Sequence, residues 1–194
     1  MIQINYAGWG SLVGGLVLGC YRVETGEFAA GLIEPEFFQN SDCQDPNRFS
    51  HKAYLAEAVR VTAICLQQLQ ATFDESLAVS SGYPLTGVHD WLTKAGHIWQ
   101  TGAVNTHLQA LLAEELQRHL AELGLHVSLD LLTDQNKAVL LLWVQIRWLK
   151  GGDVSRRGVE PERARFCKTG REHYPTWALH PYREARALVS KRGG

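Results

Sequence analysis

Between positions 156 and 177 the chain interleaves cationic side chains with aromatic rings. Arg156, Arg157, Arg163, Arg165, Lys168 and Arg171 alternate with Phe166, His173, Tyr174 and Trp177. Guanidinium groups grip phosphate oxygens, and aromatic faces stack on unpaired bases, so this pattern suits single-stranded or branched nucleic acid as well as a hybrid duplex. A helical extension whose aromatics pack on the body, with "YREARALVSKR" as its docking helix, is the competing reading. The charge balance bears on the choice. Residues 1–149 hold 8 Lys and Arg against 15 Asp and Glu, a net of −7, whereas residues 150–194 hold 11 against 5, a net of +6. A basic segment on an acidic body points to an anionic partner, nucleic acid before membrane, unless it pairs with its own domain.

Other chemistries find less support in the spacing. Cys20, Cys43, Cys65 and Cys167 form no CxxC pair, and the 8 histidines form no HExxH, so neither a structural zinc site nor a zinc hydrolase is indicated. No GxSxG elbow marks a serine hydrolase. "GWGSLVGG" lacks the Gly-Lys-Ser/Thr ending of a phosphate loop and does not match GxGxxG. Its glycines suit a turn with close backbone approach. The run "SLVGGLVLGC" is not expected to be an export signal, because no Lys or Arg precedes Arg22, and it is too short to span a membrane. Dispersed cysteines fit reduced thiols in a cytoplasmic protein.

The elements that must position any site read as follows. "MIQINYA", "LVGGLVLGCYRV" and "GEFAAGLIE" are apolar or β-branched runs split by turn signals, which predicts three antiparallel strands in a meander. Ser50 is a plausible N-cap for a helix over 51–73, with Leu55, Val59, Ala63, Leu66 and Leu69 on its buried face. "SLAVSSGY" reads as a short buried strand, and "TGVHDWLTKAG" as a short helix stopped at Gly96. A long amphipathic helix ends at Gly124, "LHVSLDLL" reads as a last strand, and Thr133 or Asp134 caps the apolar helix "QNKAVLLLWVQIRWLKGG". The order is β-β-β-α-β-α-α-β-α, then a basic tail.

That order resembles the ribonuclease H-like superfamily. "SSGYPLTGVHDWLTKAGHIWQTGAVNTHLQALLAEEL" is similar to the family's stretch after its fourth strand, and "LVGGLVLGCYRVETGEFAAGLIE" to its second and third strands. The likeness covers roughly residues 1–149. It implies an α/β fold with a ribonuclease H-like mixed sheet, three antiparallel strands then parallel strands, and helices on both faces. Residues 1–149 would form that domain and 150–194 a basic C-terminal extension. It also implies a nuclease chemistry in which two Mg²⁺ or Mn²⁺ ions, held by three or four carboxylates, clamp the attacking and leaving oxygens of a phosphodiester.

Carried over residue by residue, the ligand set is thin. The first-strand acid falls on Ala7, with Asn5 on the same strand face offering an uncharged oxygen. The helix acid falls on Glu57, the fourth-strand acid on Ser80 or Ser81, and the last-helix acid near Asn136 or Lys137, one turn beyond Asp134. Glu57 and Asp134 are thus the expected metal ligands. Three readings fit: a degenerate member that binds without cutting, a displaced acid set of Glu34, Glu57, Asp130 and Asp134, or an engineered inactive variant with alanine for aspartate at position 7. A non-catalytic protein-interaction adaptor, offering Trp91 and Trp99 to a partner, is the alternative from another class.

Overall fold

A computed structural model describes residues 1–39, 49–153, 155 and 160–168. Strands β1 (Ile2–Ala7), β2 (Leu16–Arg22) and β3 (Phe28–Ile33) form the antiparallel meander, with Ala7 opposite Val17 and Leu16 opposite Ile33. β4 (Leu77–Val79) lies parallel to the other side of β1, and β5 (Trp99–Thr101) lies parallel to β4. The sheet order is β3-β2-β1-β4-β5. Order and direction together are those of the ribonuclease H-like mixed sheet.

Side chains alternate across the strands, so each sheet face buries its own set. Ile2, Ile4, Leu16, Leu18 and Cys20 pack with helices α1 (Ala53–Gln68) and α2 (Thr86–Ala95). Val17 and Tyr21, with Ala7 at the margin, pack with α3 (Thr106–Glu122) and α5 (Ala138–Leu149). Burying each large aliphatic side chain contributes about 1.5–3 kcal/mol, which sets both layers. Gly19 lets α3 come close, since a Cβ there would stand 2.8 Å from a Leu112 methyl.

Three elements differ from the sequence expectation. "LHVSLDLL" is not a strand: Leu125 and Val127 are buried in the α3–α5 layer, the Gln117 amide donates to the Val127 carbonyl at 2.8 Å, and α4 (Leu129–Thr133) follows. The segment stays on one side of the sheet between two helices and never reaches a strand edge. The fifth strand comes instead from Trp99–Thr101, too short for its period to register in the sequence. The long α1 begins at Ala53 after Lys52, whose φ of 58° is left-handed, rather than at a Ser50 cap.

The chain past α5 does not separate from the body at residue 150. The Glu160 amide donates to the Leu149 carbonyl at 2.7 Å, a single turn α6 (Pro161–Ala164) follows, and Val13 forms an antiparallel bridge with Cys167. Gly14 N donates to Phe166 O at 2.9 Å and Lys168 N to Leu12 O at 2.8 Å. The Gln39 amide closes the other side, donating to the carbonyls of Arg165 and Cys167 at 3.1 and 2.7 Å. Residues 160–168 are a strap laid across the turn between β1 and β2. Among the described residues no helix is long and apolar enough to cross a membrane.

Candidate functional site

β1, β3, β4 and β5 point the same way, so their carboxyl ends share one edge, where open α/β sheets place their ligands. The turn 8–15 sits on that edge. Gly8 begins it at a φ of +90°, a conformation a side chain resists. Gln145, fully buried in the apolar run of α5, anchors the turn: its Oε1 accepts from Leu12 N at 2.9 Å and its Nε2 donates to Ser11 Oγ at 2.6 Å. Ser11 Oγ in turn donates to the Val13 carbonyl at 2.7 Å. The signal the sequence carries for this residue is a lone amide among apolar letters, not a motif.

Lys168 closes the edge. Only 3% exposed, its Nζ donates to the Gly8 carbonyl and, at 3.2 Å, to the Gly15 carbonyl, and it stands 5.3 Å from the centroid of the Phe38 ring. Burial pushes this group down to about 7. The two carbonyl oxygens and the ring face act the other way, because both favour the charged form. Lys168 was expected among the solvent-facing phosphate ligands; the strap turns it inward.

The acids do not gather around this cation. Ala7 packs its methyl into the α3–α5 layer, while Glu57 stands on α1 across the sheet and accepts from Arg60 at 2.9 and 2.5 Å. Asp134 is set further back. α5 reaches the turn with its C-terminal half, at Gln145, whereas Asp134 precedes its first turn, about 10 Å or more along the axis at 1.5 Å per residue. There its Oδ1 accepts from Asn136 N at 2.9 Å and its carboxylate lies 3.7 Å from Lys137. The displaced set splits the same way. Burial, then the charges of Glu36 and Glu57, push the Glu34 carboxyl up, whereas Asp130 pairs with Lys137 at 2.6 Å and is held low by it.

Asn5 is half-buried on the face of Ala7. Ser80 follows β4 with a buried hydroxyl that has no hydrogen-bond partner among the described residues, and its carbonyl lies 3.1 Å from His89 Nε2. Mg²⁺ or Mn²⁺ needs clustered oxygen ligands, several of them charged. Among the described residues no three His, Cys, Asp or Glu side chains are grouped to hold a metal ion. A divalent ion within about 4 Å of the Lys168 ammonium would also meet a repulsion of about 8 kcal/mol at an effective dielectric of about 20. This donor set does not fit a two-metal centre.

Of the basic residues, Arg163 is engaged internally: it donates to the Trp148 carbonyl, lies 4.6 Å over the Trp148 ring and pairs with Glu160 at 3.2 Å. Arg165 is exposed, with its guanidinium 4.6 Å from the Phe166 ring centroid. Arg156, Arg157 and Arg171 lie outside the described residues. Trp99 stacks on His89 at 4.8 Å and donates to Thr93 Oγ1 at 3.0 Å, and Trp91 tilts against His97 at 5.7 Å, so both serve packing.

No family model matches this chain, and no curated protein matches it. Among solved structures it is similar to the crystal structure of the catalytic core domain of BIV integrase. Identity is 15% over 100% of this chain and 97% of that one, with a TM-score of 0.33. A score that low carries no argument. The fold assignment rests on the strand order and directions themselves.

Proposed function

We propose that this chain is a nucleic-acid-associated protein of ribonuclease H-like fold that binds its polymer without cutting it. The observation that carries the reading is the occupancy of the carboxyl end of β1: an alanine methyl turned into packing at position 7, and the Lys168 ammonium on the Gly8 carbonyl beside it. The nucleic-acid half rests on the net +6 of residues 150–194 and on the exposed guanidinium of Arg165 beside an aromatic ring.

The test is fluorescence anisotropy with labelled single-stranded DNA, single-stranded RNA and a hybrid duplex, together with a gel assay for cleavage in Mg²⁺ and in Mn²⁺. Binding should weaken steeply with salt, and Arg165→Glu should weaken it further, with no cleavage in either metal. Salt-insensitive or undetectable binding would overturn the nucleic-acid reading, and metal-dependent cleavage the non-cutting one. One observation favours the adaptor as a second reading. Val139 and Leu140 on α5 are 44% and 51% exposed beside the half-buried Trp143, an apolar surface suited to a protein partner.

A further inference from the structure

The strap raises a question that nucleic-acid binding does not answer: why a lysine is buried at the one edge of the sheet where this fold presents its ligands. A buried ammonium is costly unless its protons are matched by acceptors. Here the match comes from the backbone. Gly8 and Gly15 bracket the turn, and both carbonyl oxygens face Nζ, with the Phe38 ring face on a third side. Phe38 arrives from the short helical turn Pro35–Phe38 that follows β3 at the same edge, so the three acceptors come from two segments, the turn 8–15 and the turn after β3. The backbone of Lys168 is fixed as well, donating to Leu12 O at 2.8 Å. One turn therefore holds both, the side chain at its two ends and the main chain at its middle.

We propose that Lys168 is the resident cation of this fold: an internal cation site at the carboxyl end of β1, made of the Gly8 and Gly15 carbonyls and the Phe38 ring, whose occupant is supplied by the chain's own strap. The positive charge binds the oxygen atoms that would otherwise face an empty turn, and it seats the start of the basic C-terminal segment at that edge. This inference stands whether or not the chain binds nucleic acid, because it concerns the charge and its acceptors alone.

The first measurement uses the wild-type protein. In a ¹⁵N-edited spectrum of the lysine side chains at about pH 6, one ammonium group should exchange with solvent at least about tenfold more slowly than surface lysines and show proton contacts to the Phe38 ring. Absence of any protected ammonium near that ring would overturn the proposal. The second measurement separates charge from packing. Lys168→Ala removes the side chain beyond Cβ, whose lost portion has the shape of n-propylammonium. The melting temperature of that variant should rise saturably with n-propylammonium chloride and not with n-propanol or with sodium chloride at matched ionic strength. An equal rise with n-propanol would show that the site values the stem and not the charge, and no rise with either would show that no cation site exists. If Lys168→Ala does not fold, the wild-type spectrum decides alone.

Discussion

Replacing Gln145 by leucine tests the anchoring of the turn most directly. The substitution keeps the side-chain volume close to its original value, so the loss is polar and not a cavity. Two hydrogen bonds disappear, one from Leu12 N at 2.9 Å and one to Ser11 Oγ at 2.6 Å, at about 0.5–1.5 kcal/mol net each. The Leu12 amide is then buried without an acceptor, which costs about 1–3 kcal/mol, while the Ser11 hydroxyl keeps its bond to Val13 O. These contributions overlap, and their sum is about 2–4 kcal/mol. For a domain of this size each kcal/mol lowers the melting temperature by about 2–4 °C, so a fall of about 5–15 °C is expected. Urea titration followed by tryptophan fluorescence should show a lower midpoint with unchanged slope. Gln67→Ala on the exposed face of α1 serves as the control and should stay within about 0.5 kcal/mol of the wild type. If Gln145→Leu also stays within about 0.5 kcal/mol, α5 does not hold the turn and the account of the site's geometry fails.

Four further outcomes follow from the same contacts. Ala7→Asp should not create Mg²⁺-dependent cleavage in a gel assay, because its carboxylate would face the α3–α5 layer while Glu57 lies on the other side of the sheet; new cleavage would refute the assignment of faces. Gly15→Ala should destabilise by about 3 kcal/mol or more in urea titration, since a Cβ would stand 1.9 Å from the Ile33 carbonyl, a backbone atom that cannot swing aside. The Arg22 guanidinium holds the Glu75 carboxyl below its ordinary 4.5, so that pair's contribution is present above about pH 4.5 and lost as pH falls through the lower folded value. Arg22→Met should therefore be less stable at neutral pH yet lose less stability between about pH 5 and 3 than the wild type, as followed by circular dichroism. Cys20 and Cys65, both buried, should resist a maleimide in the native protein and react in urea, as read by mass spectrometry of their peptides.

The meander, α1, β4, α2 and α3 were legible in the letters because each buries a periodic face, and burial of that kind is a local property of the sequence. β5 and α4 were not. Three residues at Trp99–Thr101 carry too little alternation to outweigh the glycine signals at Gly96 and Gly102 around them, and the apolar letters of 125–132 are satisfied by a helical layer as readily as by a sheet. At the site, Ala7 ends β1 and Glu57 stands on α1, but the side of the sheet each faces depends on which helices cover it. Asp134 was misjudged through direction: α5 meets the turn with its C-terminal half, so its N-terminal acid stands at the far end. Lys168 was the hardest residue to read. Among arginines in a basic segment it looks like a solvated charge, and only a strap that folds back by more than 150 residues to Gly8 and Gly15 buries it.

That burial bears on why position 7 is alanine. A single alanine set into an otherwise working two-metal centre would leave the other ligands in place: a carboxylate at the end of β4, a free one on α1, and a third on a last helix aimed at the same edge. Here Ser80 follows β4, Glu57 is engaged by Arg60, and the helix residue that reaches the turn is Gln145, used to hold backbone and not metal. The cation that such ligands would serve has a counterpart in the ammonium of Lys168, bound by carbonyl oxygens that need no carboxylates. Several independent positions therefore agree with Ala7: among the described residues this edge gathers backbone acceptors around an ammonium and no carboxylate cluster. Aspartate at position 7 alone should not suffice, and a metal-binding variant would need Lys168 replaced as well, together with acids at Ser80 and Gln145; calorimetric titration of Mg²⁺ into that variant and into Ala7→Asp alone should show heat only for the former, and binding by Ala7→Asp alone would refute this reading of the edge.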